Sequence, residues 1–138
     1  MMKLKPAILA VAASAIMYGP QAVAQMPEVR SAGPVNYVSG GVGEAEIAAM
    51  KQAAMKYPLE LVFVQNAVPR DQYLAGVGVR IENSRGQVVL ETVADGPFLL
   101  AQLPAGRYTV SARLEDIVKR RDLALSSGQH RRVVFEWQ

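Results

Sequence analysis

The residue types that carry most enzymatic chemistry are scarce in this sequence, which has one histidine, His130, and no cysteine. A Ser-His-Asp triad needs its histidine beside two partners, and a zinc site built from imidazoles needs two or three of them. Because His130 follows a turn and precedes two arginines, we interpret it as a solvated turn residue. We therefore expect no catalytic set, no metal and no other cofactor.

Basic residues form the most distinctive chemical pattern, in two runs near the end of the chain. Lys119, Arg120 and Arg121 lie on one predicted strand, and Arg131 and Arg132 begin the next. A hairpin joining the two strands would bring these five residues, the basic stripe, side by side despite like-charge repulsion. One interpretation is that the charges protect an exposed sheet edge. The other is an acidic partner, such as a phosphate-bearing glycolipid, a teichoic-like polymer or an acidic protein face.

A second possible site is the glycine-rich loop that contains Gly40, Gly41 and Gly43. Backbone N–H groups at the start of a helix can hold an anion. However, Glu44 and Glu46 already place negative charge there, and no lysine followed by Ser or Thr is present as a phosphate loop requires. The pattern favours tight-turn geometry over a phosphate site.

The first 24 residues have the pattern of a signal peptide. Lys3 and Lys5 form a positive start, residues 7–17 are apolar but too few to span a bilayer, and Ala22 to Ala24 fit the small-x-small cleavage rule. We predict cleavage near Ala24 and a periplasmic or secreted protein. Without cysteine, neither lipid attachment at the cleavage site nor a disulfide is expected.

Loss of this segment changes the charge of the chain. The full sequence carries 15 basic and 12 acidic residues, a net charge of +3, and Lys3 and Lys5 leave with the leader, so the remainder is +1. A protein that binds nucleic acid needs a larger basic excess, so we expect no nucleic-acid partner. The remaining residues, about 114, suffice for one domain. Residues 25–41 are interpreted as an extended or mobile lead-in, in which 35–38 could add a short edge strand.

One helix is predicted, over residues 42–57. Ile47, Met50 and Ala54 recur at helical spacing, and Pro58 ends the pattern. The apolar stripe is narrow, which predicts a helix that lies on the outside of a sheet.

After Pro58 the sequence alternates apolar and polar residues in short runs separated by turns, which is typical of antiparallel strands. Seven such runs are predicted, over 59–65, 77–83, 87–93, 97–103, 107–114, 117–125 and 130–137. The pattern predicts an all-β fold, an antiparallel sandwich of about seven strands over 58–138 with the helix packed outside. Lys119 and Arg121 share the parity of the apolar Leu123 and Leu125. Either a bulge intervenes or the two basic residues lie beyond the rim of the core.

A hairpin within 95–114 carries a resemblance to a known family. The matching residues are Tyr73-Leu74-Ala75, Val77 to Ile81, Gly86, Gly96-Pro97 and Leu103-Pro104-Ala105-Gly106-Arg107-Tyr108. This pattern resembles the carboxypeptidase regulatory-like domains, small sandwiches with the transthyretin-like (prealbumin-like) topology. The resemblance covers about 59–137 and implies an accessory, adhesive or glycan- and protein-contacting module. The glycine loop and helix lie outside it.

Together these patterns predict an exported, non-enzymatic binding or accessory module of the bacterial envelope, a monomer or weak oligomer. Its partner would be an envelope protein or an acidic glycan or glycolipid, and the chain would not be integral to the membrane. The alternative is a small periplasmic hydrolase or lyase with an unrecognised carboxylate and tyrosine site. A third possibility is a subunit of a larger envelope assembly.

Overall fold

The computed structural model describes residues 26–138, and the predicted signal peptide over 1–24 lies outside them. The described part contains one helix and ten strands. They are β1 (Arg30–Ala32), β2 (Val35–Gly40), α1 (Glu44–Ala54), β3 (Leu59–Gln65), β4 (Gln72–Tyr73), β5 (Gly78–Asn83), β6 (Val88–Val93), β7 (Phe98–Gln102), β8 (Gly106–Leu114), β9 (Ile117–Leu125) and β10 (Arg131–Trp137).

The strands form two sheets that pack face to face. The covered sheet, which carries the helix, has the order β1-β2-β7-β3-β10, with β4 paired to the end of β3. The open sheet has the order β6-β5-β8-β9 and turns its outer face to solvent. The prediction of an all-β sandwich with a helix outside is therefore confirmed, although the strand count is ten and not about seven.

Period-two alternation builds the open sheet. Val79 pairs with Ala112 and Ile81 with Val110, and these four side chains point into the core. The intervening residues of each strand face outward, as expected when one face of an antiparallel sheet is buried and the other is wet.

The covered sheet is mixed, because β3 and β10 run parallel, in register from Leu59 opposite Arg131 to Gln65 opposite Trp137. The expectation of a wholly antiparallel sandwich was thus wrong at this pair. β3 is apolar on both faces, which suits a strand with neighbours on both sides and layers above and below it. Its inward side chain Phe63 packs against Phe135 and Trp137, with ring centroids 6.0 and 6.5 Å away.

The helix covers the outer face of this sheet. Met50 and Ala54 are buried against a cluster from four strands that includes Val62 and Leu100. The helix begins at Glu44, two residues after the predicted start, and ends at Ala54, three residues before the predicted end at Tyr57. The next turn closes by the shorter bonds Lys56 N to Ala53 O and Tyr57 N to Ala54 O, both 3.0 Å, as in a tightened final turn.

The lead-in predicted over 25–41 contributes two strands to the covered sheet. β2 lies between β1 and β7, and Val35, Tyr37 and Val38 are buried. The interpretation of 35–38 as a possible edge strand is corrected, since β1 forms the edge. Burial of alternate apolar side chains, together with pairing to β7, orders a segment whose composition alone is that of a loop.

No helix among residues 26–138 is long and apolar enough to cross a membrane.

Candidate functional site: the basic edge of the sandwich

The two basic runs lie on strands of different sheets. β9 pairs only with β8 and is an edge of the open sheet, whereas β10 pairs only with β3 and is an edge of the covered sheet. The predicted hairpin between these strands was therefore wrong. The chain instead crosses from one sheet to the other between Leu125 and Arg131, because both strands direct apolar residues into the shared core.

The two edges nevertheless lie on the same side of the sandwich. At one end, Trp137 Nε1 donates to Ile117 O at 3.4 Å. At the other end, residues of both strands line a shallow cavity of about 130 Å³, with Arg121 from β9 and Arg131 from β10 among them. The crossing thus brings these two arginines together without strand pairing.

The register of β9 shows why the basic Lys119 and Arg121 share the parity of the apolar Leu123 and Leu125. Pairing with β8 continues without a shift from Gly106 opposite Leu125 to Leu114 opposite Ile117, so no bulge intervenes. Leu123 and Leu125 are buried, while Arg121 on the same parity is exposed. Arg121 therefore lies beyond the rim of the core, the second of the two alternatives, whereas Lys119 is half-buried at the rim.

Arg120 has the opposite parity and faces solvent on the outer side of the open sheet. It lies across from Ser111 on β8, and Ser111 lies across from Arg80 on β5. Arg120, Arg80 and Arg113 border one groove of about 380 Å³ on this face. The structure therefore divides the basic stripe between the sandwich edge and the open face.

Arg132 faces the helix side of the covered sheet, where it meets a buried carboxylate. Its Nε lies 3.6 Å from Glu60 Oε2, and the other oxygen of Glu60 is 2.9 Å from His130 Nε2. The second ring nitrogen of His130, Nδ1, is 2.8 Å from Tyr57 O. The side chains of Glu60 and His130 are 7% and 15% exposed.

These contacts determine where protons must lie. A backbone carbonyl only accepts, so the contact with Tyr57 places a proton on Nδ1 of His130. Nε2 of His130 then faces Oε1 of Glu60. A hydrogen bond between these two atoms requires a second proton, carried by one of them. The expectation that His130 is a solvated turn residue was therefore wrong, since it links the segment after the helix to the start of β10.

Sequence reasoning missed Glu60. The available signal was a lone carboxylate inside the apolar run Leu59 to Val64, where a buried charge needs a partner. The partner could not be read from the sequence, because His130 is 70 residues away.

The glycine loop holds an internal carboxylate. Gly41 N donates to Glu46 Oε1 at 2.8 Å, and Val42 N approaches the same oxygen at 3.4 Å. Gly43 is the N-cap of the helix and Gly40 ends β2. Of the three glycines of the possible loop site, Gly41 thus already donates its N–H to Glu46, an arrangement that resembles the reciprocal half of a capping box.

A further cavity, of about 400 Å³, brings together the residue types of the hydrolase alternative. Arg107, Tyr108, Asp122 and Arg131 contribute to its lining. Tyr108 donates its hydroxyl to Pro104 O at 2.7 Å, and burial raises the pKa of this phenol above its ordinary value of 10.0. Asp122 accepts from Thr109 Oγ1 at 2.8 Å. The tyrosine and the carboxylate are thus both engaged in structural hydrogen bonds.

No group of three or more His, Cys, Asp or Glu side chains suited to a metal ion occurs in the described part of the chain. No family model matches the chain, and comparison with curated proteins and with solved structures gives no match either. The resemblance to carboxypeptidase regulatory-like domains accordingly stays a prediction from the sequence. What the structure defines is the class of fold, a two-sheet β-sandwich with one outer helix and a basic edge.

Proposed function

We propose that the chain is an exported, non-enzymatic binding module of the bacterial cell envelope that recognises an acidic partner through its basic edge. The observation that carries the proposal is the convergence of Arg121 and Arg131 from two different sheets on one shallow cavity, which Arg132 and a single carboxylate, Asp122, also line. Within residues 26–138 neither Arg121 nor Arg131 forms an ion pair.

Electrostatics supports an external partner at this position. Arginines outnumber carboxylates around this cavity, so like-charge repulsion raises the free energy of the folded chain, and an acidic ligand would offset that cost. Lys119 on the same edge adds to the positive field. Arg132 differs, since Glu60 already accompanies it. We therefore assign the main contacts to Arg121 and Arg131, with Lys119 beside them on the edge and Arg120 on the adjacent open face.

The envelope as the place of action is supported by the predicted signal peptide, which directs the chain to a compartment rich in acidic glycans and glycolipids. The partner classes we propose are an acidic envelope protein, a glycan and a glycolipid.

Photo-crosslinking in cells tests this proposal. A photoreactive residue is placed at Arg120 or Lys119, and the matched control position is Gln52, an exposed helix residue on the other layer of the molecule. Gly41 is unsuitable as a control, because a side chain there would meet Phe98. The adducts are identified by mass spectrometry.

A discrete adduct at the β9 positions that disappears in R121Q/R131Q and is absent at Gln52 is the expected result. Equal adducts at all positions, or adducts that persist in R121Q/R131Q, would contradict the proposal. Both substitutions are at exposed residues, and an unchanged unfolding temperature of the double variant verifies that its fold is intact.

A further inference from the structure

The groove on the outer face of the open sheet has an unusual arrangement of charge. On this face Ser111 has four neighbours, which are Arg80 and Arg120 across the two adjacent strands and Thr109 and Arg113 along its own strand. Cross-strand neighbours have Cβ atoms about 5 Å apart, so three arginine side chains start from positions around one small hydroxyl side chain. Such a cluster costs stability unless carboxylates or a ligand offset it.

Internal carboxylates balance only one side of the cluster. Arg80 Nε lies 3.2 Å from Glu82 Oε1, and Glu91 is opposite Arg80 in the ladder with β6. Arg113 Nε donates to a backbone carbonyl, Glu115 O, at 3.0 Å. Arg120 has no ion pair within the described residues. An anion would therefore be repelled on the Arg80 side and attracted between Arg113 and Arg120.

The floor of the groove is formed in part by a glycine, which leaves it open. Gly78 is the first residue of β5, next to Arg113 in register, and it does not adopt the left-handed backbone conformation that favours glycine. A Cβ atom there would meet only ordinary contacts, the nearest being Arg113 Cβ at 3.8 Å. In strands, glycine marks a bulge, a bend or a place where a ligand or another backbone approaches closely. Neither backbone geometry nor packing requires it here, and the space above it is the groove.

The ends of the groove are apolar. Val93 on β6 and Val118 on β9 flank the row that contains Gly78 and Arg113, and they are 60% and 52% exposed. A ligand that fills about 380 Å³ would thus place a charged group over Ser111 and a less polar part between the valines.

We propose that this groove binds a phosphomonoester group, carried by a sugar or by a lipid headgroup. Guanidinium forks suit phosphate oxygens, and a group with close to two negative charges and three free oxygens matches two arginines and a hydroxyl donor better than one carboxylate does. The proposal shares an acidic partner and Arg120 with the proposed function. It differs in its principal residues, Arg113, Ser111 and Gly78.

Calorimetric titration of the purified chain with glucose 6-phosphate, and with glucose as the uncharged control, tests the groove. We expect binding of the phosphate only. R113Q/R120Q should weaken it at least about tenfold, and G78V should abolish it by filling the floor. The matched control R70Q/R85Q removes two positive charges from exposed positions outside both proposed sites and should change the affinity less than about twofold.

The source of the phosphate is distinguished by sedimentation with vesicles of phosphatidylcholine, with or without phosphatidic acid. Binding that is confined to vesicles with phosphatidic acid would identify a lipid headgroup, and binding of glucose 6-phosphate alone would identify a sugar phosphate. Binding of neither probe would overturn the inference, as would equal weakening in the two double variants. In that event the crosslink at β9 that depends on Arg121 and Arg131 would still decide the proposed function separately.

Discussion

Glu60 and His130 join parts of the chain that are remote in sequence. The histidine ring bridges the carbonyl of Tyr57 and the carboxyl of Glu60, and the second carboxyl oxygen faces Arg132. A buried carboxylate without partners would destabilise the fold. The contacts of Glu60 with His130 and Arg132 offset this cost and so allow an acidic residue in a central apolar strand.

We expect Glu60→Gln and His130→Phe each to lower the free energy of unfolding by about 1.5–3 kcal/mol, the range for hydrogen bonds to charged groups. The double variant should lose less than the sum, because each single change already breaks the shared contact. Urea unfolding of the four proteins measures this coupling. Glu136→Gln, at an exposed position of β10, is the matched control and should change stability by less than about 0.5 kcal/mol. Strictly additive losses would show that the two side chains do not interact.

Tyr108 is the other residue whose polar atom holds structure together, since its hydroxyl donates to Pro104 O across the turn before β8. Tyr108→Phe should cost about 1 kcal/mol. Burial raises the pKa of the phenol in the folded state above its ordinary value of 10.0. The folded chain therefore keeps this proton longer than the unfolded chain, so the associated stability is complete below about pH 10 and is lost as the pH rises through the folded pKa.

Thermal unfolding between neutral and alkaline pH checks this dependence. The wild-type protein should lose more stability on alkaline titration than Tyr108→Phe does, while Tyr73→Phe, at an exposed tyrosine, should behave like the wild type. An identical alkaline loss in Tyr108→Phe would contradict the assignment.

At the scale of elements, the connection between β2 and the helix depends on close approach of the backbone. Gly41 has φ of +107°, and a Cβ atom there would lie 2.5 Å from Phe98 Cδ2. Gly43 also has a positive φ, +87°, but a Cβ atom there would meet nothing within 4 Å. The two glycines thus share backbone strain and differ in steric conflict.

Gly43→Ala should cost about 1–2 kcal/mol through backbone strain alone, and Gly41→Ala should cost at least about 1 kcal/mol more through displacement of Phe98. Denaturant unfolding of both variants separates the two contributions. Equal losses would mean that the Phe98 ring moves aside freely, and that its packing does not determine the path of the loop.

The local sequence pattern predicted the helix and most of the strands. It did not predict which strands belong to the same sheet. The alternation of apolar residues located β3 and β9 with the bounds that the structure has. It did not show that β9 and β10 belong to different sheets. Two strands that bury alternate residues in one core have the same sequence pattern whether they pair in one sheet or lie in two facing sheets. The short strands β1 and β4 were missed. They have three and two residues, too few to show an alternation of apolar and polar side chains.

The same limit applies to the site residues. Runs of basic residues were visible in the sequence, but whether Arg120 and Arg121 share a surface depends on parity, and they lie on different faces. The groove on the open face combines residues of four strands, and no local motif marks such a combination. Only Gly78, a glycine near the start of an alternating strand, was a detectable signal.

At the scale of the whole molecule, the two sheets expose edges of different kinds. β1 ends the covered sheet with only three residues, and a short edge offers little to an incoming strand. β9 ends the open sheet with nine residues and an unbroken register, so its free side is a template for pairing with a second copy. Lys119 and Arg121 carry inward-parity charges on this strand, a recognised means of preventing such pairing.

We therefore expect K119T/R121T, which replaces both charges with residues that favour strands, to associate through the exposed edge. The dissociation constant for self-association should fall at least about tenfold, a change of about 1.4 kcal/mol, in sedimentation velocity over a concentration series. R80T/R113T removes two positive charges from β5 and β8, which have neighbours on both sides, and it should sediment as the wild type does. If both variants associate, the lower net charge, and not the exposed edge of β9, is the cause of the association. If K119T/R121T sediments like the wild-type protein, the two charges do not protect the edge against pairing with a second copy.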